Sequence, residues 1–232
     1  MNRQSKLLIG IVVVGIIGLV AFIIGPSLIG PDLSHGKKSI LILAVDKGEQ
    51  PGLGGVDMAF MVDIEDGSIK KYTPVYPGGM MHPTQPAPGH LSGKMLLHDS
   101  LWDGSEQGME YAKEIVESNT GKRADAVVAV TDEGLNAVID SIRPFKINGE
   151  VSDLDATSII RENDNLYGNG MTRGDAVMLL VKALSTAATD PDKRNTMIQA
   201  ALDQYSKGNI VMTPSSSFMS LLATKGFESI YW

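Results

Sequence analysis

Cysteine is absent from all 232 residues, which excludes disulfides, thiolate zinc sites, iron–sulfur clusters and cysteine nucleophiles together. Basic runs and basic–aromatic stripes are also missing. The two N-terminal cations, Arg3 and Lys6, precede the first acidic residue, so everything after Lys6 carries 18 Lys+Arg against 27 Asp+Glu. An acidic domain of this kind is a poor non-specific partner for nucleic acid, and nucleic-acid binding is set aside. No Walker-type phosphate loop is present, and Gly52-Leu53-Gly54-Gly55 leads into a strand rather than a helix, so it is not a dinucleotide fingerprint. The serines at Ser215 to Ser217 lack the Gly-x-Ser-x-Gly elbow of a hydrolase nucleophile.

What is present begins with one long apolar run. Leu7 to Gly25 holds 19 uncharged residues, and at about 1.5 Å per residue it forms a helix of about 28 Å, close to the hydrocarbon thickness of a bilayer. A cleavable signal has a shorter apolar core and a small-x-small site, for which Gly25-Pro26-Ser27 is a weak match. The run therefore reads as an uncleaved anchor in the cell membrane. It leaves residues 1–6 as a cytoplasmic tip, 26–37 as a Pro/Gly spacer and 38–232 as one extracytoplasmic domain. Apolar content of 43% and charged content of 20% are ordinary for a globular chain, and the domain is long enough to bury a core.

The domain is organised around Ser39 to Pro74. Ser39 to Val45 is an almost wholly apolar run ending in Asp46, the pattern of a strand buried on both faces. A Gly-rich loop follows, then a second strand, Val56 to Ile64, with Asp57 near its start. Asp66-Gly67 signals a tight hairpin into a third strand, Ser68 to Pro74. If the first two strands are neighbours, Asp46 and Asp57 flank one loop and converge. Two carboxylates at strand ends suit a hard cation such as Mg²⁺, which takes oxygen ligands and is often held by one or two carboxylates. The competing reading makes Asp46 a turn residue and Asp57 the cap of a strand-edge turn.

Tyr76 to Lys94 is so rich in proline and glycine that it reads as a long irregular loop. Helices are expected over Leu96 to Trp102 and Ser105 to Asn119, a buried strand over Ala124 to Thr131, and a Thr131-capped helix through Ile142. A small hairpin (Phe145 to Val151), a short helix (Asp155 to Arg161) and a Gly-rich loop (Glu162 to Met171) come next. The chain closes with a helix from Thr172 to about Ala188, one opened by Asp190-Pro191, a strand at Asn209 to Met212, and a final helix from Pro214. This interleaving predicts a layered α/β/α domain with a mixed central sheet. Arg161 and Arg173 flank the Gly-rich loop and can close on an anion or pair with nearby acids. His82, His90, His98 and Asp99 are available for a metal or a proton, at irregular spacing.

The order of these features, from the strand ending in Asp46, through the Gly-rich loop and Val56-Asp57-Met58, to Ile159-Ile160-Arg161 and Gly168-Asn169-Gly170-Met171-Thr172-Arg173, resembles the LytR-CpsA-Psr domain over about residues 38 to 188. A nearer resemblance is to membrane-anchored proteins of wall-bearing methanogenic archaea. The first resemblance implies an outward-facing domain that transfers glycopolymers from a polyprenyl diphosphate carrier to the cell wall with Mg²⁺. It assigns the metal to Asp46 and Asp57, as the catalytic pair, and phosphate to Arg161, Arg173 and Lys94. The chain departs from the pattern at several cations: Gly55-Val56 stands where the family has an arginine before the second aspartate, and Asn163 where it has a second arginine. Two functions from different classes follow, a Mg²⁺-dependent glycopolymer phosphotransferase with a reduced arginine set, or a non-catalytic anchored module binding a wall polymer or another envelope protein.

Overall fold

In the structure, a computed structural model, the described residues are 32–33, 35–66, 68–75, 78–104, 106–147, 149–161, 180, 183–184 and 186–216. Among them no helix is long and apolar enough to cross a membrane, and the candidate span at 7–25 lies outside them. So do the Gly-rich segment 162–171, the opening of the helix expected from Thr172, and most of the final helix.

The apolar run after the spacer becomes β1 (Lys37–Asp46), the middle strand of a five-stranded sheet. β2 (Gly55–Glu65) and β3 (Ser68–Val75) extend it as an antiparallel meander. On its other side β1 pairs in parallel with β6 (Ala126–Thr131), and β6 pairs antiparallel with the edge strand β9 (Ile210–Thr213). The spatial order is β3-β2-β1-β6-β9, a mixed sheet as expected.

Alternation along β1 divides the core. Leu41, Leu43 and Val45 face α1 (Glu106–Thr120), where Met109, Ala112, Ile115 and Val116 are fully buried at helical spacing. Ile40 lies on the opposite face with Phe60, Val62 and Val128, covered by Val138 and Ile139 of α2 (Asp132–Asp140) and by Met197 and Ala201 of α4 (Pro191–Ser206). Each of the larger aliphatic and aromatic side chains contributes about 1.5–3 kcal/mol by leaving water. Ile159 of the short α3 (Ala156–Arg161) joins the second layer. Helices thus cover both faces.

The Pro/Gly-rich segment corrects the sequence expectation of an irregular loop. It contains β4 (Met81–Pro86) and β5 (Lys94–Leu96), which form a two-stranded hairpin. Pro83 and Pro86 have no N–H to donate, and the ladder pairs only at Met81 with Leu96 and Pro86 with Lys94. A side chain replaces the missing ladder: His82 is 1% exposed, and its Nδ1 accepts the amides of Thr84 (3.1 Å) and Gln85 (2.9 Å). With Nδ1 accepting, Nε2 carries the proton and donates to Glu114 of α1 at 2.6 Å. The helix expected at Leu96 to Trp102 shrinks to a single 3₁₀ turn, Leu97–Asp99. The Phe145 hairpin is present as β7 (Phe145–Ile147) and β8 (Glu150–Ser152).

Candidate metal and anion site

β1 and β6 run in parallel, and their C-terminal ends open on one cleft. It is lined by Asp46, Asp57, Met58, Thr131, Asp132, Leu135 and Ala156, among others, and encloses about 380 Å³ including its open mouth. It lies outside the carboxyl ends of the two parallel strands, the side on which α/β sheets take ligands.

Asp57 reaches this cleft because of a break in register. Ala44 pairs with Met58 but Val45 pairs with Val56, so Asp57 is the extra residue of a β-bulge. Strict alternation would place it on the α1 face with Ala59 and Met61. The bulge turns it instead to the side of Asp46. Asp46 is set by the loop after β1, where its Oδ1 accepts the Gly48 amide at 2.8 Å and its carbonyl accepts the Glu49 amide at 3.4 Å. That tight turn carries Glu49 back over the strand ends. Ligand oxygens of Asp46, Glu49 and Asp57 all lie within 4.8 Å of one another. Oxygens on opposite sides of one ion sit about 4.2 Å apart for Mg²⁺ and about 4.8 Å for Ca²⁺, so the three acids are close enough to share one hard cation of Ca²⁺ size, and Mg²⁺ sets the tighter limit.

Glu49 is the residue that sequence reading missed. Its signal was short range, an acid three positions after Asp46 in a glycine-flanked turn, and only the turn geometry brings it to the pair. Glu49 is backed by His98, whose Nε2 lies 3.1 Å from Glu49 Oε2 and whose Nδ1 lies 2.9 Å from Asp99 Oδ1. Asp99 is buried and also accepts Gln50 Nε2 at 2.6 Å. Burial pulls the His98 pKa down, but hydrogen bonds and charge from Asp99 and Glu49 outweigh it and leave the ring above its ordinary value. A raised folded-state value means the stabilisation is complete below the unfolded value of 6.5 and is lost as pH rises through the raised one. The native chain should therefore be more stable than His98→Gln at pH values below 6.5, with the difference shrinking steadily above it. Urea midpoints across that range check this, and a pH-independent difference would refute it.

The other expected site residues fall as follows. Lys94 sits at the start of β5, exposed, donating its ammonium to the Pro83 carbonyl at 2.7 Å, and it is not among the residues lining the cleft. Arg161 ends α3, whose first residue, Ala156, lines the cleft; the Arg161 side chain and all of Arg173 lie outside the described residues. The histidines separate: His82 is spent on the β4 turn, His90 meets Trp102 edge-on at 6.0 Å, and His98 with Asp99 stands behind Glu49.

Fold and site together define a mixed α/β domain with a carboxylate cluster at the ends of its parallel strands. Residues 35–165 match the family described as "Protein of unknown function (DUF4012)", and the chain belongs to that family. No curated protein matches it. Similar solved structures include the transcriptional regulator EF0465 of Enterococcus faecalis, 14% identical with a TM-score of 0.54, covering 87% of this chain and 76% of that one. TagV of B. subtilis is 16% identical with a TM-score of 0.50, covering 84% and 79%. At such identities the likeness shows the fold alone. The LytR-CPS2A-psr family protein YwtF (TagT) with bound octaprenyl pyrophosphate lipid is 17% identical over 89% and 78%, and its TM-score of 0.44 is too low to bear on fold or function.

Proposed function

We propose that this chain is a membrane-anchored, outward-facing envelope domain that takes hold of a lipid-linked polyphosphate or glycopolymer through a divalent cation, Mg²⁺ in the first instance. The observation that carries the reading is the convergence of Asp46, Glu49 and Asp57 on one cleft. Their donors are all carboxylate oxygens, the chemistry a hard cation selects. A bound cation there would supply the charge that draws in a diphosphate and stabilises a departing phosphate oxygen. Beside the acids, Met58, Leu135 and Ala156 give the cleft an apolar wall, which suits a ligand with a charged head and a hydrocarbon part. The motif order that resembles LytR-CpsA-Psr domains supports the same class of ligand.

Glycopolymer phosphotransfer, with Arg161 and Arg173 on the phosphates, is the finer form of this proposal. One observation favours the non-catalytic form instead: Lys94 donates to the Pro83 carbonyl and does not line the cleft, in a chain already short of arginines at this site. The test uses the full-length chain in detergent micelles with an isoprenyl diphosphate-linked glycan, with and without Mg²⁺. Stabilisation against heat by Mg²⁺ alone is expected, with a further rise from the glycan only when Mg²⁺ is present. A flat response to both sinks the reading, and cleavage of the diphosphate separates transferase from binding module.

A further inference from the structure

We infer that Asn209 and Lys47 form a latch that positions the carboxylates of the cleft, an inference that rests on the cation reading above. Lys47 is the only basic residue between Asp46 and Asp57. Its ammonium donates to Glu133 Oε2 at 2.8 Å and to Asn209 Oδ1 at 3.0 Å, while its backbone amide meets Asp132 Oδ1 at 3.4 Å. The turn carrying Asp46 and Glu49 is thereby tied to the first turn of α2 and to the residue entering β9.

The two ammonium contacts differ in weight. Lys47 and Glu133 are both largely exposed, and such a pair contributes little. Asn209 is 7% exposed and fully engaged: its Nδ2 donates to Gln204 Oε1 at 2.7 Å, its amide to the Gln204 carbonyl at 2.9 Å, and its carbonyl accepts the Thr131 amide at 2.9 Å. Held from three sides, the side-chain oxygen presents a fixed acceptor, and losing its donor would leave it buried and unsatisfied. The latch joins positions 162 residues apart. Asn209 also lies beyond the stretch that matches the family, so a part of the chain outside residues 35–165 sets the geometry of a site within it.

Positioning and simple charge predict opposite signs. Lys47→Met removes a positive charge near three carboxylates. If Lys47 acted only through its charge, the variant would bind a cation as tightly as the native chain or more so. As a latch, Lys47→Met and the charge-neutral Asn209→Ala should both weaken Mn²⁺ binding, by about tenfold, the scale on which outer-shell partners tune metal sites. Mn²⁺ affinity is read by electron paramagnetic resonance on the full-length chain in micelles, and backbone exchange by mass spectrometry. Faster exchange is expected over residues 47–54 in both variants, with residues 39–45 still protected as the control for folding. Equal or tighter Mn²⁺ binding by Lys47→Met, with native exchange in the turn, overturns the latch. Should the native chain itself fail to hold Mn²⁺, the cation reading falls separately, and exchange decides the latch: acceleration confined to 47–54 upholds it, and native exchange in both variants overturns it.

Discussion

Asp57→Asn is expected to abolish the Mg²⁺-dependent rise in melting temperature of the native chain while leaving the metal-free protein as stable as before or slightly more so. The carboxylates of Asp46, Glu49 and Asp57 stand within 4.8 Å of one another, and like charges that close repel when no cation separates them. Binding to the folded state alone stabilises it by about 2.7 kcal/mol at a hundredfold excess over Kd. For a domain of this size that is a shift of roughly 5–10 °C. Asparagine preserves the size of Asp57 and removes one charge, so the repulsion falls and the affinity with it. A turn or capping role predicts the reverse, a small loss of stability and no response to Mg²⁺ in either protein. Thermal unfolding of both full-length proteins across a Mg²⁺ titration decides between them, and a variant that keeps the native response would rule out the three-carboxylate site.

Gly54→Ala should be strongly damaging, and its damage should fall on Asp46. Gly54 has φ +120°, outside the range that side chains tolerate, and an added Cβ would stand 2.4 Å from the Asp46 carbonyl oxygen and 2.7 Å from Lys47 Cα. Backbone atoms cannot swing aside as a side-chain tip can, so relief requires moving Asp46 itself. The strained dihedral alone costs about 1–3 kcal/mol, and displacing the turn brings the expected total to about 3 kcal/mol or more. Gly93→Ala is the internal control: φ there is +90° but nothing lies within 4 Å of an added Cβ, so it carries only the dihedral cost. Urea unfolding should therefore rank Gly54→Ala well below Gly93→Ala, and Gly54→Ala should also lose the Mg²⁺ response. Equal destabilisation by the two would show that the contact with Asp46 is not what requires glycine.

Much of the architecture was legible from local pattern. The almost wholly apolar runs at Ser39 to Val45 and Ala124 to Thr131 became central strands because short β-branched apolar runs suit a strand covered on both faces of a sheet. Thr131 caps α2 and Asp190 caps α4 as read, since a side-chain acceptor just before a helix satisfies amides that the helix cannot. The failure at Tyr76 to Lys94 has an equally local cause. Proline forbids a regular ladder, and composition cannot reveal that His82 stands in for one by accepting two amides from the side.

The sequence by itself placed Asp46 at the close of one apolar run and Asp57 at the opening of the next, joined by a short Gly-rich loop, and the pairing of β1 with β2 made those strand ends neighbours. Which face Asp57 would take was decided only in three dimensions. Pairing with β1 slips by one residue at Val45, and that single extra residue reverses the side to which the carboxylate turns. Glu49 and Asn209 were likewise invisible as site residues. Glu49 depends on a turn closed by the Asp46 side chain and carbonyl, and Asn209 depends on β9 returning beside β6 to meet Lys47. Periodicity reports what a residue does within its own element, whereas a site at the junction of strands, turns and helix ends is made by register and long-range packing, which only the folded chain fixes.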